Sequence, residues 1–453
     1  MIIRRFAATG VHGHLDLTVR FNRDLTFLTG INGSGKTSVV KGIDALLSPS
    51  LALLALMDYE HMEVDVTVDK RRKIQIWSTR SENHVAVGCS EVQPILEYLA
   101  LPPEPREVGI SARAYERTSE RYRELEAKNA NHPVMRAIRD LPTPMILGIE
   151  RRYSDLPQST DDLYQYRAFR RSRVYSSNPY ASGLYQASET AELATRRIQA
   201  QERELTDALR KNILLSAFQY TPVDLSLPAQ AALSRRIEIT EQTVLKTFEK
   251  LGLSGEAVQR AMGSFFEKLR DVTEILQGER DMNKLLAGDD PKKREAITEW
   301  IINAPQFNRI TRILGYIETY VRESSRVNEP IHRYLEIINE FLRDSHKRVA
   351  FDDTGQLQVQ LEDGAFVQLT SLSSGESQLL IIITHLALNP AAQLANIFIV
   401  DEPELSLHVR WQELFVEALQ RASPQLQLIL ATHSPSIILD RDIKCVDLSK
   451  RRA

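Results

Sequence analysis

Gly30-Ile31-Asn32-Gly33-Ser34-Gly35-Lys36-Thr37 fits the pattern G-x-x-x-x-G-K-[ST], and the chemistry that this spacing serves is the capture of a polyphosphate. Glycines let successive backbone N–H groups turn toward one anion. The start of a following helix adds positive partial charge, and Lys36 adds a full charge that reaches the β- and γ-phosphates. Thr37 offers its hydroxyl to Mg²⁺, and Ser38 continues the helix start. A second group lies far along the chain: Ile397-Phe398-Ile399-Val400-Asp401-Glu402 is an apolar run ending in two carboxylates. That is the shape of a buried parallel strand delivering acids to the edge of its sheet. There Asp401 would join the Mg²⁺ shell, and Glu402 would orient and deprotonate an attacking water.

Two further groups complete the set. Leu372-Ser373-Ser374-Gly375-Glu376 precedes the helical run from Gln378 to Leu388, which places small residues at a helix N-terminus. The Ser373 hydroxyl, the Gly375 N–H and the helix dipole suit an anion such as a phosphate. His433 follows the apolar run Leu428 to Ala431, within Ala431-Thr432-His433-Ser434-Pro435. Taken singly, each is an ordinary feature: acids end many strands, Ser and Gly cap many helices, and a lone histidine is usually only polar. Their order along the chain gives them weight.

The elements that must position these residues are legible in outline. Strand signal runs from Ile2 to Phe6, and Leu15, Leu17, Val19 and Phe21 then alternate with Asp16, Thr18 and Arg20, the period-two pattern of a half-buried antiparallel strand. Leu25 to Thr29 is predicted as a strand entering the Gly-rich turn, with a helix from Ser38 to Leu47. Val64, Val66 and Val68, then Ile74 and Ile76, continue the strand signal before a break at Pro102, Pro103 and Pro105. From about Ala187 to Phe341 the pattern is helical, interrupted at 222–228, 252–255 and 288–291; these helices are expected to be short for a sustained coiled coil. Strands return at Leu357 to Leu361 and Phe366 to Leu369, around a turn at Asp363-Gly364. The last hundred or so residues alternate helix with the buried runs Ile397–Val400 and Leu428–Ala431, the rhythm of a parallel sheet. The spacing of Trp411, Leu414, Phe415, Ala418 and Leu419 predicts a helix.

With 453 residues, 43% hydrophobic and 26% charged, the chain is sized for two or three packed units. A formal net charge of −3 advertises no polyanionic partner for the molecule as a whole, so a DNA or RNA site would be a local patch. The apolar stretch Ser50 to Met57 is far below the ~20 residues of a membrane span, and the N-terminus lacks a secretory signal. The expected location is the cytoplasm, with no membrane partner. Cys89 and Cys445 are isolated and are read as small core residues, not as a metal pair.

Together these motifs resemble the ABC ATPase superfamily. Leu372-Ser373-Ser374-Gly375-Glu376 resembles its LSGGQ or LSGGE signature, with Ser374 in place of the first glycine. Asp401-Glu402 resembles Walker B, Glu404-Leu405-Ser406-Leu407-His408 the D-loop position without its usual aspartate, and His433 the switch histidine. Gln158, beyond the apolar strand Met145 to Ile149, is the candidate Q-loop residue. The resemblance implies an α/β ABC ATPase head, with N-terminal antiparallel strands, a parallel P-loop sheet and an inserted helical domain. Its divisions would be residues 1–180, 181–345 and 346–453. It implies ATP and Mg²⁺ as cofactors, with Gly30, Asn32, Gly33, Ser34, Gly35, Lys36, Thr37 and Ser38 on the nucleotide. Ser373, Ser374, Gly375 and Glu376 would act in trans, in a head-to-tail dimer or a higher oligomer. Glu402 and His433 would be catalytic in a slow ATPase.

The split by a helical insertion is similar to SMC and RecF proteins and to the ATPase part of OLD-family nucleases. OLD nucleases carry a TOPRIM nuclease domain after the ATPase, whereas twenty residues follow His433 here. The arrangement is thus similar to stand-alone ATPase subunits of anti-phage systems of the PARIS, Septu or retron type, where a separate effector, such as a nuclease, carries the toxic activity. Rival readings are a DNA-repair or chromosome-maintenance ATPase and a nucleotide-gated scaffold without turnover. Basic and aromatic residues interleave at Arg151, Arg152, Tyr153, Tyr164, Tyr166, Arg167, Phe169, Arg170, Arg171, Arg173 and Tyr175. That segment suits a nucleic-acid contact, a solvated loop or a docking surface for an acidic protein.

Overall fold

The computed structural model describes residues 1–48, 50–69, 71–82, 84–100, 121–122, 124–147, 181–220, 230–250, 255–276, 287–405 and 407–449. Gln158 and the basic–aromatic segment 151–175 lie outside the described residues. The chain forms two compact units, one of Met1–Thr195 with Pro330–Ala453 and one of Arg196–Glu329.

In the first unit, β1 (Ile2–Val11) and β2 (Leu15–Arg20) form a hairpin, with Phe6 opposite Val19 and Ala8 opposite Leu17. The expected alternation holds in β2, where Leu17 and Val19 are buried and Asp16, Thr18 and Arg20 are exposed. With β4 (His61–Val68), β5 (Arg72–Ser81), β6 (His84–Cys89) and β7 (Val92–Leu99) they make an antiparallel sheet in the order β2-β1-β4-β5-β6-β7. Its buried face carries Phe6, Met62, Val64 and Ile76.

The second sheet is parallel, in the order β14-β3-β13-β12-β8, built from β3 (Leu25–Thr29), β8 (Met145–Leu147), β12 (Ile397–Asp401), β13 (Gln427–Ala431) and β14 (Cys445–Asp447). Every residue of β12 and β13 is buried, as expected of parallel strands covered on both faces. Helix α1 (Lys36–Leu47) packs between the two sheets, touching β1, β4 and β5 of one and β12 and β13 of the other. Val39, Val40, Ile43, Leu46 and Leu47 are all buried, each contributing about 1.5–3 kcal/mol relative to exposure. The approach is close at Gly42, where a Cβ would stand 2.6 Å from the Phe6 ring. A buried glutamine ties the sheets together. Gln427 accepts the Ile3 N–H at 2.9 Å, and its side-chain nitrogen donates to the carbonyls of Ile3 (2.9 Å) and Asn22 (2.6 Å).

Asp44 on α1 is an exception to this apolar packing. It accepts from the Ser48 hydroxyl at 2.9 Å, and desolvation pushes its carboxyl from the usual 3.8 to about 6. A carboxyl whose pKa is raised by folding favours the native state below the unfolded pKa, and that advantage is lost as pH rises through about 6. At pH 7.5 the ionised group is a penalty. Asp44→Asn keeps the acceptor for Ser48 and is expected to stabilise the fold by about 1–2 kcal/mol at pH 7.5, the gain vanishing near pH 4. Urea unfolding at the two pH values checks this; equal midpoints for both proteins at pH 7.5 would contradict it.

The remaining pieces of this unit are the small sheet β11-β10-β9, from β9 (Lys347–Phe351), β10 (Leu357–Leu361) and β11 (Phe366–Val367), and helix α8 (Ser374–Leu388) leading into β12. The turn between β10 and β11 closes through Gly364, whose φ of 83° suits glycine. Helices α9 (Pro390–Ala395), α10 (Val409–Ala422) and α11 (Pro435–Ile438) follow α8 in order.

In the second unit, α5 (Gln230–Lys250) and α6 (Glu256–Ile275) join the greater parts of α4 (Ala181–Ala217) and α7 (Pro291–Leu342); α2 (Leu51–Leu56) and α3 (Pro133–Arg139) belong to the first. Ile237, Phe266, Ile297 and Phe307 form its buried centre. The expectation of short helices is corrected: α4 has 37 residues and α7 has 52. Helix α7 continues through Pro305 and Pro330, where proline would ordinarily interrupt.

Candidate nucleotide site

Register places the predicted chemistry along one edge of the parallel sheet. Asp401 pairs with Ala431, and Ala431 with Leu28, so β12, β13 and β3 release their chains side by side. From β3 the chain turns through the Gly-rich loop into α1, which begins at Lys36, two residues earlier than its apolar spacing suggests. Gly35 precedes it with φ 93° and no side-chain cap, so the first N–H groups of α1 have no capping side chain to satisfy them. Gly30, with φ 142°, is required by space as well as conformation, because a Cβ there would lie 2.6 Å from the Ser34 hydroxyl and 2.9 Å from that of Ser449. Ser449 also accepts the Ile31 N–H at 3.1 Å. No local signal in the sequence points to Ser449.

Within the loop, Lys36 is only 6% exposed, and its ammonium donates to the carbonyls of Gly30 (2.8 Å) and Ile31 (3.3 Å). The Ser34 hydroxyl is buried with no hydrogen-bond partner among the described residues. A buried orphan hydroxyl costs free energy. This donor set, a glycine-rich turn, an uncapped helix start, a buried ammonium and an orphan hydroxyl, fits a bound triphosphate. For Mg²⁺ the residues also fit. The Thr37 hydroxyl lies near enough to the buried Asp401 carboxylate to lower its pKa, and Mg²⁺ usually takes one or two protein oxygens plus phosphates and waters. Desolvation by burial raises the Asp401 pKa, Glu402 adds to the rise, and Thr37, Lys36 and Lys41 oppose it. Among the described residues no group of three or more His, Cys, Asp or Glu forms a metal cage.

Glu402 follows directly on β12. Its N–H donates to the Ala431 carbonyl at 2.8 Å, and its φ is 49°. A non-glycine residue in the left-handed region costs of order 1 kcal/mol and persists where the surroundings impose it. Past the end of the neighbouring strand β13, His433 meets a residue that sequence reasoning placed only in the D-loop position: Glu404 accepts the His433 backbone N–H at 2.8 Å and lies 2.9 Å from its Nδ1.

The turn at 373–376 is arranged differently from expectation in one respect. Ser373 is the N-cap of α8 and forms a reciprocal capping box with Glu376: the hydroxyl accepts the Glu376 N–H at 3.3 Å, and the carboxylate accepts the Ser373 N–H at 2.7 Å. Glu376 is 3% exposed and pairs with Lys347 at 2.8 Å. Burial pushes its pKa up, but Lys347, Ser345 and the Ser373 N–H outweigh that and leave it below the usual value. Its carboxylate therefore serves the fold, while Ser373 and Ser374 remain exposed. The hydrogen bonds of Ser373 to Glu376 stay within α8 or go to Lys347 and Ser345, and none joins this turn to the loop at 30–37. One link does run from α8 toward the acids: Gln378, fully buried, donates to the Pro403 carbonyl at 2.6 Å.

Comparison with known proteins bears on what such a site does. A stretch of 131 residues, 27% of this chain, is 28% identical to the "Retron Vc95 probable ATPase" of Vibrio cholerae serotype O1 biovar El Tor, and the match spans 24% of that relative's length. Among solved structures, the Smc head domain bound to the C-terminal domain of ScpA, from Pyrococcus furiosus, is 12% identical. It matches over 98% of this chain and 93% of that one, with a TM-score of 0.38. The SMC head domain from Thermotoga maritima is 9% identical over 97% and 91%, with a TM-score of 0.36. The family described as "AAA ATPase domain" matches residues 1–438. With nearly the whole chain covered and the loop, acids and histidine gathered at one sheet edge, the protein is a member of this family of ATPase domains.

Proposed function

We propose that this chain binds ATP with Mg²⁺ at the β3–α1 loop, closes head-to-tail on a second copy, and hydrolyses the nucleotide to reopen. The observation that carries the reading is the meeting of Thr37 with Asp401 beside Lys36, two motifs from opposite ends of the sequence joined at one edge. Bound there, Mg²⁺ would supply positive charge to offset that of the phosphates. Lys36 would exchange its loop carbonyls for phosphate oxygens. Thr37 and Asp401 would hold the metal, and Glu402 would take the proton of the attacking water. His433 would contact the γ-phosphate.

Closure requires something to complete the site from outside. The exposed start of α8 fits that task, because Ser373, Ser374 and the Gly375 N–H lie where a helix N-terminus favours an anion. Two nucleotides shared between two copies would give the closed form the differential affinity that a switch needs. The partial likeness to a retron ATPase supports a role in anti-phage defence, with the helical residues 181–345 reporting nucleotide state to a separate effector, a nuclease. Recovery of the chain from its host together with a nuclease would favour this, whereas recovery with DNA or a repair helicase would redirect it.

Ser373→Arg tests the trans site. It adds bulk and charge at an exposed cap, where loss of the native cap costs only about 1 kcal/mol, so the subunit is expected to fold and bind ATP. ATP-dependent dimerisation, followed by sedimentation, is expected to weaken at least about 10-fold, equivalent to roughly 1.4 kcal/mol. Normal association of this variant would rule out the trans arrangement.

A further inference from the structure

Glu404 is 8% exposed, and its two carboxylate oxygens have unequal surroundings. Oε1 accepts the His433 backbone N–H at 2.8 Å and faces the ring Nδ1 at 2.9 Å. Oε2 is shielded from solvent and makes no hydrogen bond among the described residues. A buried carboxylate is costly unless paired, and it commonly meets that cost by latching separate elements together. Here the hydrogen bond to the backbone and the close approach to the ring both involve a single residue, so the group is built around His433.

We propose that Glu404 is a positioning residue for His433. It fixes the ring with a proton on Nδ1 and turns Nε2 toward the phosphate end of the nucleotide site. A carboxylate oxygen has no hydrogen to give, so a ring nitrogen 2.9 Å from it favours carrying the hydrogen, and the state of the other nitrogen follows from that contact. The backbone contact fixes the residue and the ring contact fixes its rotation. The His433 side chain is still 50% exposed, so the ring is open to a ligand. With the hydrogen on Nδ1, Nε2 carries the lone pair and acts as the acceptor at that end of the site.

The turn that carries Glu404 is itself hydrogen-bonded on both sides. Its carbonyl accepts the Leu407 N–H at 3.0 Å, the Leu405 N–H bonds the Glu402 carbonyl at 3.2 Å, and Gln378 holds the intervening Pro403 carbonyl from α8. The same turn therefore aims Glu402 and, through Glu404, His433. Removal of a carboxylate that orients a functional histidine typically costs 10–100-fold in activity where the histidine binds a metal; a similar loss is expected here.

The experiment combines nitrogen NMR of the full chain, labelled at histidine and assigned by comparison with His433→Gln, with steady-state ATP hydrolysis. The catalytic readout rests on the function proposed above; the NMR readout does not. In the wild-type chain the His433 ring is expected to carry its proton on Nδ1. Glu404→Ala is expected to shift it toward the Nε2–H form and to lower kcat about 10–100-fold, with KM for ATP within about twofold. Glu404→Gln, whose carboxamide oxygen can still accept from Nδ1, is expected to keep the wild-type tautomer and recover part of kcat. It also decides the matter should the alanine variant misfold. Unchanged His433 nitrogen shifts in Glu404→Ala, or a Gln variant with a changed tautomer, would overturn the positioning role. A wild-type chain with no turnover would count against the proposed function, while the tautomer comparison would still decide the role of Glu404.

Discussion

Lys36→Ala is expected to abolish ATP binding, with affinity falling at least about 100-fold, equivalent to roughly 2.7 kcal/mol. The ammonium is nearly enclosed and already bonded to two carbonyls of its own loop. Phosphate oxygens would replace neutral acceptors with anionic ones, so the ammonium would gain a direct ion pair in place of its bonds to carbonyls. Without the lysine, the glycine-rich turn keeps its N–H groups but loses its one full positive charge. Isothermal titration with ATP and Mg²⁺ provides the measurement. Wild-type affinity in the variant would mean that the nucleotide lies elsewhere.

The second large effect is expected at Glu402. Glu402→Gln retains the shape of the side chain and removes its basicity, so ATP binding should persist while phosphate release falls by about 10²–10⁴-fold. Dimers held closed by unhydrolysed ATP should accumulate and be visible by sedimentation. The backbone argues for this residue over its neighbour: Asp401 is buried beside Thr37, whereas Glu402 adopts φ 49° just past the strand end. A conformation of that kind is tolerated where a side chain must be aimed. Hydrolysis at the wild-type rate would place the base elsewhere.

Much of the positioning scaffold was legible because local patterns report local structure. The five apolar or acidic residues Ile397–Asp401 form β12 as expected, and Leu25–Thr29 forms β3. In α10 the apolar spacing marks the buried face at Phe415, Ala418 and Leu419, though Leu414 is 38% exposed. Strands β6 and β7 escaped notice because their alternation is weak: Val92, Gln93, Pro94 and Ile95 at the start of β7 are not buried. The 52-residue α7 was not anticipated because its length depends on packing that overrides two prolines.

The acids and the phosphate loop carry a recognisable residue pattern, but their second layer does not. Glu376 reads as a signature residue by position, yet its carboxylate turns inward to Lys347, 29 positions away. Glu404 and His433 are likewise separated by 29 positions. Such pairings follow from which strands are neighbours, and periodicity within a segment contains no information about that.

The order of strands in the parallel sheet bears on how the protein is made. Strand β13 sits between β3 and β12, although it is among the last parts of the fold to be synthesised. Before residues 427–431 leave the ribosome, β3 has no partner on that side and the phosphate loop has no acids to face. The hairpin β1–β2 and its neighbours β4 to β7 can pair early through local contacts, whereas the nucleotide edge must await closure over more than four hundred positions, as in the bonds between Ile3 and Gln427. Non-local closure of this kind is slow, and it leaves an apolar strand edge open during translation, where chaperones would engage the nascent chain.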